Sequence, residues 1–107
     1  MIIVRNVFHL KYGKAKESIA IWKEILEAGK TTGMNKPEMR LLSDISGPAY
    51  TIIVEMHLHS FIDFNLMNAI WSTNPKFQEL YQKFIPLCDS ATREYYKIES
   101  IVWVYAN

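Results

Sequence analysis

Two histidines and a glutamate alternate along one strand-like stretch, and these residue types suit acid–base chemistry or metal binding. Residues 50–59 alternate apolar and polar side chains, which predicts a β-strand with Glu55, His57 and His59 on one face. Histidine titrates near neutral pH and binds metals through either ring nitrogen. Three interpretations are open: a metal site, an acid–base or pH-sensing group inside a dimer, and an ion pair with its neighbours at the rim of an interface.

The spacing along the strand limits the metal interpretation. At about 3.3 Å per residue, His57 and His59 lie about 6.6 Å apart, which allows both rings to reach one ion. Glu55 and His59 lie about 13 Å apart by the same rise, so they cannot easily share an ion. We therefore expect no metal site. The favoured interpretation is that Glu55 forms an ion pair with Arg5 across neighbouring strands, while the histidines lie at the solvent-exposed rim of the dimer interface.

The same alternation recurs elsewhere in the chain and predicts four strands in all. β-branched and aromatic residues are frequent in these stretches. The predicted strands cover 2–11, 38–46, 49–59 and 100–105. Ser46-Gly47-Pro48 is a turn signal, so the second and third strands are expected to form a β-hairpin.

Apolar residues three and four positions apart predict helices between these strands. The first helix covers 14–30. The second helical region begins at Ser60, restarts at Asn74-Pro75, and carries one apolar stripe to Ile98 with a kink at Pro86. The resulting order, β-α-β-β-α-β, is typical of a ferredoxin-like α+β sandwich. A length of 107 residues suits a single domain, 1–107.

One face of this sheet is expected to lack a cover of helices. The drier faces of the first and third strands should pack on the helices, with Asn6 as a polar exception. The opposite face mixes apolar side chains with the polar residues Arg5, His9, Glu55, His57 and His59. The last strand adds to it either the side with Ile101, Trp103 and Tyr105 or the side with Val102 and Val104. Burying one large apolar side chain is worth about 1.5–3 kcal/mol. We therefore expect this face to pair with a second copy in a two-fold symmetric homodimer.

The composition gives no reason to expect several other partners. The chain has 12 basic and 11 acidic residues, well mixed, which does not favour nucleic acid or an anionic membrane. No apolar run approaches the roughly 20 residues of a membrane span, and the chain begins in strand-like sequence, so no signal peptide is expected. A single cysteine, Cys88, fits a reducing, cytoplasmic location. With four glycines, a nucleotide-binding loop is not expected, and neither is a cofactor.

Longer motifs resemble the NIPSNAP-type domains of the dimeric α/β-barrel superfamily. Asn74-Pro75-Lys76-Phe77-Gln78 is similar to their Asp-Pro-x-Phe-Gln pattern, and Pro86-Leu87 and the ending Arg93-Glu94-Tyr95 follow it. Tyr12-Gly13-Lys14 is similar to their Pro-Gly-Lys turn, with tyrosine in place of proline. The resemblance implies a homodimer whose two sheets form a barrel. It implies little chemistry, because these domains mostly lack an established reaction.

The superfamily also implies a second candidate site, in the gap between the sheet and the helices. Cofactor-independent monooxygenases of the antibiotic-biosynthesis type and haem-degrading relatives place their sites there. Asn6 and Trp71 match the haem-degrading pattern in kind, but the histidine of its second helical region is absent here, which argues against haem degradation. Tyr50 and Tyr81 are the other pocket candidates.

Two functions follow. The first is a small homodimeric NIPSNAP-like domain that binds a small apolar or aromatic ligand, or acts mainly as a dimer module. The second is a monooxygenase that acts on a phenolic or quinone substrate. An enzyme requires a pocket that reaches Asn6 and opens to solvent. A purely structural dimer should show Asn6 bonded to backbone and Trp71 packed in the core without a cavity.

Overall fold

A computed structural model of the chain describes residues 1–30 and 38–104. Its strands and helices follow one another as β1 (Ile2–Leu10), α1 (Ala15–Gly29), β2 (Glu38–Ser43), β3 (Thr51–Leu58), α2 (Phe61–Ser72), α3 (Pro75–Phe84) and β4 (Cys88–Lys97). A short 3-10 turn, Ile85–Leu87, joins α3 to β4.

The strands form one antiparallel sheet in the order β2-β3-β1-β4. The helices pack on one face of it, and every second residue of β3 is buried there. The predicted β-α-β-β-α-β order and the ferredoxin-like α+β fold are confirmed. The hairpin of β2 and β3 is confirmed as well; its connection contains the left-handed residues Gly47 and Tyr50.

The core consists of two clusters of buried side chains between the sheet and the helices. The larger contains Phe8, Leu10, Trp22, Ile25, Ile52, Val54, Leu80 and Phe84. The smaller contains Val4, Met56, Leu58, Phe64 and Met67. Met39 and Trp71 pack against both clusters. These two side chains therefore mark the boundary between the two halves of the core.

The start of α3 is fixed by Asn74, which precedes the helix, and by Pro75, its first residue, as the sequence predicts. Asn74 Oδ1 accepts a hydrogen bond from the backbone N–H of Phe77 at 3.0 Å, and Pro75 occupies the first helical position. We expect Asn74→Ala to lower the free energy of unfolding by about 1 kcal/mol, measured by urea denaturation. Ser60→Ala is the matched control: Ser60 precedes α2 but its side chain makes no capping bond, so the variant should be nearly neutral. Equal losses in both variants would contradict the capping role of Asn74.

The predicted continuation of the second helical region to Ile98 is wrong. The helix ends at Phe84, Pro86 lies in the 3-10 turn, and the chain then enters β4. Proline lacks an N–H and clashes with the preceding turn, so it ends the helix here rather than kinking it. Pairing along nearly the whole of β1 then outweighs the helical spacing of the apolar residues that follow.

The predicted last strand over 100–105 is also wrong, since β4 takes its place in the sheet. Residues 100–104 form no strand, and Trp103, assigned to a sheet face, is 87% exposed. Tyr105 lies outside the described residues. No helix in residues 1–30 and 38–104 is long and apolar enough to cross a membrane.

Candidate functional site

A cavity of about 200 Å³ lies between the sheet and the helices, at the junction of the two core clusters. All three helices and all four strands of the described residues contribute to its wall. The lining residues are Asn6, Phe8, Trp22, Met39, Val54, Met56, Met67, Asn68, Trp71, Phe77, Tyr81 and Arg93. Most of these are apolar or aromatic, and the two at the α2 and β4 side, Asn68 and Arg93, are exposed. The cavity therefore meets solvent at that side.

Asn6 and Arg93 form the polar end of the cavity. They lie opposite each other on β1 and β4, and Arg93 Nε donates to Asn6 Oδ1 at 2.6 Å. The Arg93 guanidinium also lies 5.3 Å from the centre of the Phe64 ring, a cation–π distance. These two contacts hold the guanidinium in place, and its terminal Nη groups make no hydrogen bond within the described residues. The Arg93 guanidinium is therefore a positioned cation at the cavity wall, and its Nη groups can donate hydrogen bonds to a ligand.

Two further hydrogen-bond donors, the Trp22 indole N–H and the Tyr81 hydroxyl, belong to residues that line the cavity. Trp22 is 4% exposed, and its indole N–H has no hydrogen-bond partner among the described residues. An unpaired buried donor costs free energy, so an acceptor on a ligand could offset that cost. Tyr81 packs against Phe77 with ring centres 5.4 Å apart, which places its phenol in the aromatic part of the wall.

Two titratable groups on this side of the molecule, Tyr81 and Cys88, favour their neutral forms. Burial raises the pKa of the Tyr81 phenol, and a charge on Cys88 would raise it further, while the Arg93 guanidinium opposes the shift. Burial and the nearby Asp89 raise the pKa of the Cys88 thiol. Both groups therefore stay protonated at neutral pH. Tyr81 serves as a hydroxyl, and Cys88 is not the thiolate that nucleophilic chemistry needs.

Three of the four predicted pocket candidates, Asn6, Trp71 and Tyr81, lie around this one cavity. Tyr50 does not: it adopts a left-handed backbone conformation at the end of the hairpin connection, and its ring contacts Tyr12, 5.1 Å away. The oxygen of Asn6 is bonded to a side chain rather than to backbone.

Sequence reasoning missed Arg93, because it placed this residue on a helix. The residue pattern did contain a signal, since Ala91, Arg93 and Tyr95 share one face of a strand and pair with Phe8, Asn6 and Val4. The other unpredicted wall residues are ordinary apolar core types, and no sequence feature separates a cavity wall from a filled core.

Trp71 is held against α1 by a close contact with Gly29. A methyl group on Gly29 would lie 2.8 Å from Trp71 Cζ2, too close without movement of the indole ring. Because Trp71 also lines the cavity, we expect Gly29→Ala to push the ring into that space and lower the free energy of unfolding by about 1–2 kcal/mol, as typical overpacking does. Urea denaturation measures the loss. The loss in the free energy of unfolding should be smaller in a Trp71→Phe background. An unchanged loss would show that the indole ring is not what clashes with the new methyl group.

The opposite face of the sheet, here called the outer face, carries the residues that suggested acid–base chemistry. Arg5 Nε lies 3.4 Å from Glu55 Oε2, although the geometry is not that of a hydrogen bond. His57 Nε2 donates to Glu55 Oε1 at 2.8 Å, and both side chains are mostly buried. The predicted Arg5–Glu55 ion pair is therefore present. Glu55 also contacts His57, which the sequence had placed at the rim of the dimer interface.

The other two histidines lie apart from this cluster. His9 pairs with Thr51 at the far end of the sheet, as the antiparallel order predicts, and His59 is exposed beyond the end of β3. Among the residues that the structure describes, no group of three or more His, Cys, Asp or Glu side chains could hold a metal ion.

The strand register arranges the outer face in transverse rows. One row alternates in charge across the whole sheet, because Arg40 pairs with Glu55, Glu55 with Arg5, and Arg5 with Glu94. We call these four residues the charged row. The row toward the hairpin end is mainly apolar: Leu42, Ile53, Val7 and Thr92. The outer face thus combines ordered charges with half-exposed aliphatic side chains.

Solved structures share this architecture. An uncharacterized NIPSNAP-like domain protein from Burkholderia xenovorans has a TM-score of 0.80 at 17% identity, over 98% of this chain and 90% of that one. A NIPSNAP family protein from Agrobacterium tumefaciens has a TM-score of 0.75 at 15% identity, over 88% and 89%. An antibiotic biosynthesis monooxygenase has a TM-score of 0.71 at 11% identity, over 94% and 100%. No family model matches this chain, and no curated protein matches it in sequence.

These structural similarities identify the fold of the chain. The chain has the ferredoxin-like fold found in NIPSNAP domains and in an antibiotic biosynthesis monooxygenase, so the resemblance to NIPSNAP-type domains is confirmed for the fold. At 11–17% identity the likeness concerns the fold alone.

Proposed function

We propose that this chain is a single homodimeric domain, residues 1–107, that binds a small aromatic ligand in the cavity between its sheet and helices. The observation that carries the proposal is the Asn6–Arg93 pair at the solvent side of a largely apolar cavity. Binding sites of this kind combine an apolar wall with a few placed polar groups. A free thiol at Cys88 supports a reducing, cytoplasmic setting.

The size of the cavity supports a ligand with one ring. An apolar cavity of about 150 Å³ holds benzene, so about 200 Å³ suits a substituted benzene ring rather than a fused ring system. The chemistry of the wall supports an oxygen substituent. Arg93 can donate to a phenolate or carboxylate oxygen, and the Trp22 N–H and the Tyr81 hydroxyl are further donors.

The outer face of the sheet supports the proposal of a homodimer. Within a single chain its aliphatic side chains are only partly covered, and Leu42 and Tyr96 are 37% and 46% exposed. A second copy placed sheet against sheet would bury them, and the two-fold arrangement is the simplest closed assembly.

The second candidate function is a cofactor-independent monooxygenase acting on a phenolic or quinone substrate. The observation that favours it is the open cavity that reaches Asn6, because a purely structural dimer needs none. Molecular oxygen would be the oxidant. In oxidation of a phenol to a quinone, one oxygen atom enters the ring, and the other leaves as water with two substrate hydrogens. Arg93 would stabilise the electron-rich phenolate that reacts with oxygen.

A fluorescence titration tests the binding proposal, since Trp22 and Trp71 both line the cavity. We expect 4-hydroxybenzoate and p-cresol to change tryptophan emission saturably, and toluene to bind more weakly than p-cresol. No saturable change with any of the three would overturn the proposal. Oxygen uptake with the same two phenols separates the functions: consumption supports the monooxygenase, and binding without consumption supports the binding domain.

A further inference from the structure

Trp71 separates the cavity from a second, much smaller space between α1 and the start of α3, here called the side gap. The side gap has a volume of about 10 Å³ and is lined by Ile25, Ala28, Gly29, Trp71, Asn74 and Phe77. Trp71 and Phe77 line the larger cavity as well. Their rings meet edge to face, with centres 4.9 Å apart. These two aromatic side chains therefore form a common wall between the cavity and the side gap.

The indole of Trp71 has a defined position in this wall. Its backbone is fixed at the end of α2, because the Trp71 carbonyl accepts hydrogen bonds from the N–H groups of Thr73 and Asn74. The far edge of the indole fits against Gly29, where a Cβ atom would lie 2.8 Å from Cζ2 and 3.3 Å from Cη2. The absence of a side chain at Gly29 thus gives the ring its place.

Trp71 and Arg93 bound the cavity on different sides. The helix α1, which carries Gly29, packs over β2 and β3. Arg93 belongs to β4, which the order β2-β3-β1-β4 places at the opposite edge of the sheet. A ligand whose oxygen is bound by Arg93 therefore extends across the cavity toward the helix side where the indole lies against Gly29. The indole limits how far such a ligand can extend.

Removal of the indole would lengthen the cavity on the α1 side. A core relaxes only partly when a large side chain is truncated, so a space remains. An apolar space of this kind binds an apolar molecule of matching size. The vacated space has the size of a fused two-ring system, and it would join the cavity to the side gap, because Trp71 lines both.

We propose that Trp71 is the residue that determines ligand size: its indole restricts the cavity to ligands with one ring, and a smaller side chain here admits a fused two-ring ligand with the same polar groups. A clash with the wrong ligand is one of the two ways in which a site gains specificity. This inference rests on the proposed binding of an aromatic ligand in the cavity, and it adds the residue that sets the length of that ligand.

Calorimetric titration with 4-hydroxybenzoate and 6-hydroxy-2-naphthoate tests the inference, since the two ligands carry the same substituents on one ring and on two fused rings. The unmodified chain should bind 4-hydroxybenzoate more tightly by about tenfold or more. Trp71→Ala should reverse this order by a similar factor. Trp71→Leu should shift the preference in the same direction by a smaller factor, and it decides the matter if Trp71→Ala does not fold.

Ile70→Ala is the matched control. Ile70 precedes Trp71 on α2 and is also a large apolar residue, but it lines neither the cavity nor the side gap. The variant should keep the preference of the unmodified chain. An equal gain in naphthoate binding with Ile70→Ala would show that loosening of α2, rather than removal of the indole, admits the larger ligand, and it would overturn the inference.

The remaining outcomes separate the two proposals. If the unmodified chain binds 4-hydroxybenzoate and the Trp71 variants keep its preference, Trp71 does not limit ligand size and the binding proposal stands. Equal binding of both ligands by the unmodified chain leads to the same conclusion. No binding of either ligand to any of these chains would overturn both proposals.

Indole gives an independent readout of the vacated space. It should raise the midpoint of thermal denaturation of Trp71→Ala, because a molecule that binds only the folded state stabilises it. The midpoints of the unmodified chain and of Ile70→Ala should not change. No rise in Trp71→Ala, or an equal rise in all three chains, would count against the inference.

Discussion

Replacing Arg93 by methionine is expected to weaken binding of 4-hydroxybenzoate by about tenfold to a hundredfold. A hydrogen bond to a charged group contributes about 1.5–3 kcal/mol, and about 1.4 kcal/mol corresponds to a factor of ten. Arg93 is suited to this role because Asn6 and Phe64 already hold its guanidinium beside the cavity. Little side-chain freedom is then lost on binding. Isothermal titration or tryptophan fluorescence measures the change.

The control for this variant is Lys97→Met. Lys97 lies on the same strand and the same face of the sheet, and its loss removes the same charge without touching the cavity. We expect it to leave ligand affinity within about twofold, because a distant surface charge is screened by salt. Arg93→Lys should retain part of the affinity, since it keeps the charge but loses the planar donors. If Arg93→Met and Lys97→Met weaken binding equally, Arg93 acts only through net charge and the proposed site is wrong.

Replacing Ile53 by lysine is expected to dissociate the proposed homodimer, raising its dissociation constant by roughly a hundredfold or more. Ile53 lies in the apolar row of the outer face, and a two-fold dimer contains it twice. Each lost apolar side chain is worth about 1.5–3 kcal/mol, and the two new charges would be buried near each other. Analytical ultracentrifugation measures the dissociation constant.

Ile62→Lys provides the comparison for the dimer. Ile62 is 78% exposed on α2, so the same substitution there should leave both the dimer and the fold unchanged. Urea denaturation of each variant shows whether the monomer still folds. A stable Ile53→Lys dimer would show that the outer face is not the interface.

The parts of the fold that follow from local patterns were predictable. Strict alternation in β3 placed Val54 and Glu55 on opposite faces, and the register then brought Glu55 beside Arg5. Asn74 and Pro75 marked the start of α3 because a helix needs a cap and tolerates proline at its first position. In these cases the stretch of sequence concerned favours one structure by itself.

The end of the chain was not predictable in this way. Residues 88–98 have apolar side chains at helical spacing, and residues 100–105 alternate like a strand, so the local pattern favours a helix followed by a strand. Pairing with β1 instead makes this segment the strand β4, and the paired residues are 78 to 95 positions apart in the sequence. The same error hid Arg93, whose partner Asn6 is 87 positions distant. Cavity volume is equally non-local, since it depends on how seven elements pack together.

A crystal structure of the protein soaked with 4-hydroxybenzoate shows whether the ligand binds in the cavity beside Arg93. We expect density for one aromatic ring among Trp22, Trp71 and Phe77, with an oxygen of the ligand within hydrogen-bond distance of an Arg93 nitrogen. Density only on the outer face beside His57 and Glu55, or a cavity filled by a shifted Trp71 with no bound ring, would contradict ligand binding in the cavity.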